Sequence, residues 1–123
     1  MRFLSDSNLS VYIMIVEYIR YKIPRERQRE FEEAYTNASA SLNASKHCQM
    51  YELAHSTEEP ELYILRIEWD SLEGHMKGFR SSPQFRDFYR YVQPFFNDIQ
   101  EMRHYELTKV RKGDHVTAAA NSP

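Results

Sequence analysis

The residues from Glu61 to Trp69 alternate between two kinds of side chain, and this pattern constrains the fold more than any other stretch. Such alternation is typical of a β-strand with two distinct faces. Asp70 and Ser71 can cap a helix, so the strand is predicted to end at Trp69 and a helix to begin directly after it. His75 lies early in that helix. One predicted strand face carries Tyr63, Leu65, Ile67 and Trp69, and the other carries Leu62, Ile64, Arg66 and Glu68.

The remaining periodicities predict the element order β-α-β-β-α(α)-β. Short connections and right-handed crossovers then favour an α+β, ferredoxin-like fold, with a four-stranded antiparallel sheet and helices on one face. Ser82 and Pro83 predict a helix start, and Pro94 predicts that this helix ends or kinks near Gln93. The predicted strands are 11–23, 47–55, 61–69 and 102–110, and the predicted helices are 24–45, 71–80 and 83–93.

The 123 residues are enough for one domain with its own core, predicted at 11–110, with flexible termini at 1–10 and 111–123. The formal net charge of −2 gives no global field that would attract nucleic acid or an acidic membrane. No apolar run is long enough to span a membrane, and no signal peptide is visible. The single cysteine, Cys48, excludes an intramolecular disulfide and fits a cytoplasmic location.

The two faces of the predicted sheet differ in polarity, and helices can cover only one of them. With the register of each strand assumed, the helix side is predicted to hold Met14, Val16, Tyr18, Tyr51, Leu53, Leu65, Ile67, Trp69, Tyr105 and Leu107. The other face mixes isoleucines with charged residues, which favours packing against a second copy as a homodimer. The polar residues assigned to that dimer interface are Glu17, Glu52, Arg66, Glu68 and His104.

Two segments, together with the element order, resemble the antibiotic biosynthesis monooxygenase family of dimeric α+β barrels. The first opens the first strand at 14–21, and the second is the Trp-Asp-Ser run from Glu68 to His75, followed by 79–85. The resemblance covers roughly residues 11–110. It implies oxidation of a hydroxylated aromatic or quinol by O2 without metal, flavin or other cofactor, with the substrate between sheet and helices.

This sequence departs from the family's patterns at several positions. The aromatic-polyketide oxygenases of the family place an Asn at the position of Leu65, a Tyr at that of His75 and an Arg near Tyr89 or Arg90. Quinol-oxidising members place a His near Phe79. The haem-degrading branch carries an Asn where Tyr18 stands and an axial His near Tyr89, and shares Trp69.

His75 is the predicted catalytic residue, a general base for a phenol proton, because an ordinary histidine pKa of ~6.5 suits neutral pH. The predicted substrate-binding residues are Tyr18, Trp69, Phe79 and Tyr89. Each of these side chains could instead serve packing alone. The histidines show no helix-borne metal spacing and the lone cysteine cannot build a thiolate site, so no metal site is predicted.

Three functions remain open from the sequence. The first is a cofactor-independent monooxygenase acting on a small aromatic substrate with O2. The second is a non-catalytic barrel that binds a hydrophobic small molecule or haem, and the third is a partner domain. Leu65 favours the second and third, whereas His75 beside Trp69 favours the first.

Overall fold

The computed structural model describes residues 13–112 and contains four strands with helices between them. The strands are β1 (Ile15–Lys22), β2 (Cys48–His55), β3 (Leu62–Trp69) and β4 (Ile99–Glu106). The helices are α1 (Gln28–Ala44), α2 (Pro83–Val92), a π-helix (Gly74–Phe79) and two 3-10 segments (Arg25–Arg27 and Gln93–Asp98). The termini predicted to be flexible are 1–10 and 111–123. Apart from residues 111 and 112, they lie outside the described part of the chain.

All strand pairs are antiparallel, and the strand order is β2-β3-β1-β4. This confirms the predicted ferredoxin-like α+β fold. Within residues 13–112, no helix has both the length and the apolar character that a membrane crossing requires.

The local signals around α2 act as the sequence predicts. The Ser82 side chain accepts a hydrogen bond from the Phe85 backbone N–H, and Pro83 is the first helical residue. The α-helix ends at Val92, and a 3-10 segment that contains Pro94 follows. Proline has no backbone N–H to donate to a continuing helix, so this boundary follows from its chemistry.

The core lies between the sheet and the two long helices and is rich in aromatic rings. Phe31, on the buried face of α1, packs edge-on or tilted against rings from three other elements, at centroid distances of 4.8 to 5.2 Å. Edge-to-face contacts of this kind stabilise a core beyond the area they bury. The partner rings of Phe31 in these contacts are Tyr21, Tyr63 and Phe95.

The register of β1 against β3 corrects the predicted sheet faces. Ile15 lies opposite Trp69, and Glu17 lies opposite Ile67. Directly opposed residues in an antiparallel pair share a face, so the odd-numbered residues of β1 point toward the helices. The prediction that Tyr18 shares the face of Trp69 is therefore wrong, because Tyr18 points to the opposite, open face.

The predicted faces of β4 are exchanged in the same way as those of β1. His104 lies opposite Glu17, and Tyr105 lies opposite Val16. Glu17 and His104 thus lie on the helix side, and their predicted place on the dimer face is wrong. Val16 and Tyr105 lie on the open face, which is the reverse of their predicted place. The cause is that β1 is apolar on both faces, so its pattern does not distinguish two registers that differ by one residue.

The open face of the sheet keeps the other charged residues predicted there. Arg66 contacts Glu68 at 2.8 Å, Arg111 reaches the same carboxylate oxygen at 3.3 Å, and Glu68 is fully buried. The Tyr18 hydroxyl accepts a hydrogen bond from Arg66, and the Tyr18 ring packs edge-on against Tyr105. Both tyrosine rings remain substantially exposed.

Two glycines of the π-helix face the ring of His47, which directly precedes β2. The Arg80 backbone N–H bonds the His75 carbonyl, five residues earlier, which is the spacing of a π-turn. A Cβ on Gly78 would lie 2.4 Å from the His47 ring, and one on Gly74 would lie 2.9 Å from it. The His47 ring cannot easily move aside, because its Nδ1 contacts Asp70 at 2.9 Å.

Gly78→Ala should therefore lower the free energy of unfolding by about 1–3 kcal/mol, the usual cost of overpacking. Denaturant unfolding measures this change. In a His47→Ala background the steric conflict is gone, and the same substitution should be neutral or stabilising by about 0.5–1 kcal/mol, because alanine favours helix. An equal loss in both backgrounds would contradict this account.

Candidate functional site

A cavity of about 140 Å³ lies between the helix side of the sheet and the segment formed by the π-helix and α2. Four of the five residues predicted to form the site line it: Trp69, His75, Phe79 and Tyr89. Tyr18 does not, because it lies on the other side of the sheet. The wall is mostly aromatic, which suits a flat apolar ligand.

Trp69 and His75 form one stacked unit in the wall of this cavity. Their rings lie 4.3 Å apart with an angle of 13° between the planes, and both residues are almost fully buried. The strand delivers Trp69 to its last position, and the π-helix then turns His75 back over the indole ring. The sequence correctly predicts that the two rings face the same space.

Glu17 is the polar centre of the cavity wall. Its Oε1 accepts a hydrogen bond of 3.1 Å from the indole N–H of Trp69, and the residue is 4% exposed. Its second oxygen, Oε2, has no hydrogen bond within residues 13–112. Burial raises the pKa of Glu17 to about 7, and the bond from Trp69 and the charge of Arg80 limit this rise.

A chain of contacts leads from Glu17 through His75 to His104. His75 Nε2 lies 3.5 Å from Glu17 Oε1, and His75 Nδ1 lies 2.9 Å from His104 Nε2. When Glu17 is ionised, one tautomer set satisfies the chain: His104 donates to His75, and His75 donates to Glu17. When Glu17 is protonated, both donations reverse. The chain can therefore pass a proton between a buried carboxylate and the half-buried His104.

His75 differs from the predicted near-neutral base. Burial lowers its pKa to about 3, and the nearby His104 and Arg80 contribute to this shift. The pKa of His104 is also lowered, by burial first and then by the charge of Arg80. Both imidazoles are thus neutral at pH 7, and Glu17 is the member of this chain whose pKa lies near neutrality.

Glu17, His75 and His104 also form a group that could hold a metal ion, since one ligand atom from each lies within 4.8 Å of the others. The orientation of the His75 ring argues against this use. An ion on His75 Nε2 would lie on the Glu17 side of the ring, whereas His104 Nε2 contacts the other nitrogen, Nδ1. The arrangement present is a hydrogen bond between the two histidines and a longer contact of 3.5 Å from His75 to Glu17, and a metal would require the His75 ring to give up one of them.

Two buried tyrosines, Tyr21 and Tyr35, also line the cavity. Their hydroxyl groups bond each other, and burial raises the pKa of Tyr21 to about 12 and that of Tyr35 well above its usual value. Both hydroxyls are therefore neutral at pH 7. A pair of hydroxyls has two protons and uses one between them, so one proton is left to donate to a ligand oxygen.

Sequence reasoning missed Glu17, Tyr21 and Tyr35 as cavity residues. One signal was present for Glu17, because it is the only charged residue between Val11 and Ile19 in an otherwise apolar run. Burying a charge in such a strand is costly, which makes a lone acidic residue there a functional candidate. No comparable signal marks the tyrosines, since buried aromatic residues are ordinary in a core.

The volume of the cavity limits what it can hold. A cavity of ~150 Å³ takes a ligand the size of benzene. The cavity in this structure therefore fits about one aromatic ring, and it is too small for a porphyrin. Haem binding by a non-catalytic barrel would need Phe79 and the α2 residues to move apart.

Proton linkage gives a test of the buried pair through stability. Between pH 5 and 6, folded Glu17 is protonated and unfolded Glu17 is ionised, since its pKa rises from 4.5 to about 7 on folding. A raised pKa contributes stability at low pH that is lost as pH rises through the folded value. Folded His75 is neutral and unfolded His75 is charged, so its lowered pKa removes stability as pH falls through 6.5. The two slopes oppose each other.

Glu17→Gln should remove the fall in unfolding free energy with rising pH that Glu17 causes, and it should leave the opposite contribution of His75. Relative to wild type, the free energy of unfolding of the variant should rise by up to about 1.4 kcal/mol per pH unit between pH 5 and 6. Urea unfolding at several pH values measures it. Glu33→Gln, at an exposed position of α1, is the matched control and should run parallel to wild type. A parallel line for Glu17→Gln would show that Glu17 is ionised in the folded state.

Comparisons with known proteins agree with this fold. An uncharacterized Bacillus subtilis protein, YczJ, is 27% identical over 93 residues, which are 76% of this chain and 98% of that protein. A candidate antibiotic biosynthesis monooxygenase from Bordetella bronchiseptica superposes with a TM-score of 0.65 at 25% identity, over 80% of this chain and 99% of the other.

SnoaB, a cofactor-independent oxygenase from Streptomyces nogalater solved in a mutant form, shares the fold with a TM-score of 0.62. It is 12% identical, and the match covers 80% of this chain and 95% of that one. The family model described as antibiotic biosynthesis monooxygenase matches residues 14–91, well over half of the sequence. The chain therefore belongs to the antibiotic biosynthesis monooxygenase family.

Proposed function

We propose that this protein is a cofactor-independent monooxygenase that oxidises a hydroxylated aromatic or quinol with O2. One observation carries the proposal: the buried Glu17 carboxylate, with its pKa raised to about 7, faces an aromatic cavity, and within residues 13–112 one of its oxygens has no hydrogen bond. A general base is most effective when its pKa lies near the working pH. SnoaB supports the proposal, since it is a cofactor-independent oxygenase of the same fold.

The first step is removal of a proton from the aromatic hydroxyl. Trp69 and Phe79 hold the ring against the cavity wall, and Glu17 Oε2 takes the hydroxyl proton. His75 stacks on Trp69 and contacts the other carboxylate oxygen, Oε1, so it helps to keep the carboxylate in place. If the substrate has a second oxygen, that oxygen can accept a hydrogen bond from Tyr21 or Tyr35. One hydroxyl proton of this pair is not used in the bond between the two tyrosines.

The deprotonated ring is electron-rich, and a quinol can supply all the electrons that the reaction needs. One atom of O2 adds to the ring, and the other leaves as water with the hydrogens that the substrate loses. The product is a hydroxyquinone, and no external reductant is consumed. The protein's task is then to deprotonate the ring and to exclude bulk water from it.

Oxygen uptake with hydroquinone and with methylhydroquinone, which both have a single ring, tests the proposal on protein treated with a chelator. Glu17→Gln keeps an acceptor for the Trp69 N–H and loses the base, so turnover should fall by about 10²–10⁴-fold. Glu33→Gln is the control for a loss of one negative charge and should retain the wild-type rate. His104→Gln should lower the rate by a smaller factor, because His104 contacts His75 and does not line the cavity.

Two outcomes would count against the enzyme. Activity that appears only after metal or flavin is added would refute the cofactor-independent mechanism. Ligand binding without oxygen uptake would favour the non-catalytic binding barrel.

We also propose that the open face of the sheet packs against a second copy. Tyr18, Ile64 and Tyr105 are large apolar side chains that this face leaves exposed. Arg66 and the buried Glu68 provide paired charges on the same face. A stable dimer usually buries about 1,600 Å² in total, which a four-stranded sheet face can provide.

Arg66→Ala should shift the monomer–dimer equilibrium toward monomer, because the second copy would cover the part of the open face where Arg66, still partly exposed in one chain, is paired with Glu68. Sedimentation at micromolar concentration measures the shift. Arg90→Ala, on the exposed side of α2, should leave the equilibrium unchanged. A wild-type protein that sediments as a monomer would refute the dimer.

A further inference from the structure

We propose that the substrate carries a carboxylate, which Arg80 binds at the mouth of the aromatic cavity. This proposal rests on the proposed function and narrows it to single-ring hydroxyaromatic acids. Arg80 belongs to the lining of the cavity and also to that of an outer cleft of about 320 Å³. It thus stands at the junction between an aromatic interior and a polar entrance.

The interior has room for about one ring, so any further group of the substrate must extend into the outer cleft. That cleft shares Arg80, Phe85 and Tyr89 with the cavity. It adds Arg86 and two serines, and no acidic residue of the described chain lines it. Two arginines without an acidic neighbour in this lining favour a negatively charged group there, and the planar guanidinium matches a carboxylate particularly well.

The Arg80 side chain is available for such a contact. It is exposed, its guanidinium lies 5.3 Å from the centroid of the Phe85 ring, and within residues 13–112 it has no ion pair. Stacking on Phe85 holds the planar group over the entrance without using its hydrogen-bond donors. Arg90 on the same helix as Phe85 differs, because it is paired with Asp87 at 3.4 Å and does not line the cleft.

The charge of Arg80 also reaches the interior. It shifts the pKa values of Glu17, His75 and His104, the three titratable groups of the proton chain, and in each case it favours the less positive state. A substrate carboxylate paired with Arg80 would offset this field. Glu17 would then hold a proton more readily once the correct substrate is bound, which couples recognition at the mouth to proton transfer inside.

Binding of two matched probes tests the proposal without turnover. The probes are a dihydroxyphenylacetate whose two hydroxyl groups are para to each other and the uncharged amide of that acid. They share a ring and differ in charge, and both are titrated under anaerobic conditions. Trp69 is the only tryptophan, so its fluorescence reports on occupancy of the cavity, and calorimetry confirms the affinity. The acid should bind about tenfold more tightly than the amide, as expected for one charge-assisted contact. Added salt should reduce this difference.

Arg80→Gln should abolish the preference for the acid and leave the affinity for the amide close to wild type. Arg90→Gln is the control and should keep the tenfold preference. Circular dichroism checks that both variants fold. Equal affinity of wild type for acid and amide, failure of both probes to bind, or an acid preference that survives in Arg80→Gln would overturn the proposal.

The two proposals fail separately. If the acid binds through Arg80 but no oxygen is consumed when air is admitted, the carboxylate site stands and the oxygenase function is wrong. If hydroquinone is oxidised while the acid has no advantage over the amide, the oxygenase stands and the carboxylate site is wrong.

Discussion

The burial of the Glu17 carboxylate is the constraint on which the site depends. A charged group removed from water is costly unless it is paired, hydrogen-bonded or neutralised by a proton. Two of these apply to Glu17. It accepts a hydrogen bond from Trp69, and its pKa is raised to about 7, so it can hold a proton near neutral pH. Because the donor is the indole N–H at the last position of β3, the strand end, the π-helix and the cavity are organised around one hydrogen bond.

The register between β1 and β3 creates this bond. A slip of one residue would turn Glu17 to the open face and place Val16 or Tyr18 beside Trp69. The apolar residues of β1 would tolerate either face, so hydrophobic burial alone selects the register weakly. The polar contacts made by Glu17, together with the fit of Tyr21 against its aromatic neighbours on α1, distinguish the two alternatives.

These facts explain how far the sequence predicts the structure. The alternation of β3, the Ser82–Pro83 helix start and the effect of Pro94 are local signals, and the structure agrees with each. The stack of Trp69 on His75 also follows from short-range spacing. The face of Tyr18 and the roles of Glu17 and His104 depend on pairing between distant strands, which a strand apolar on both faces does not encode.

The polar group of the cavity comes from a different strand than the resemblance in sequence would suggest. Aromatic-polyketide oxygenases that the sequence resembles place an amide on the third strand, where this chain has Leu65. Leu65 lies opposite Ile19, and Glu17 is the next residue along the same face of β1. Glu17 thus brings a polar group to the cavity from the neighbouring strand, whereas Leu65 does not line that cavity. A carboxylate can accept a proton, whereas an amide can only orient one, so an amide at this place could not perform the role proposed for Glu17.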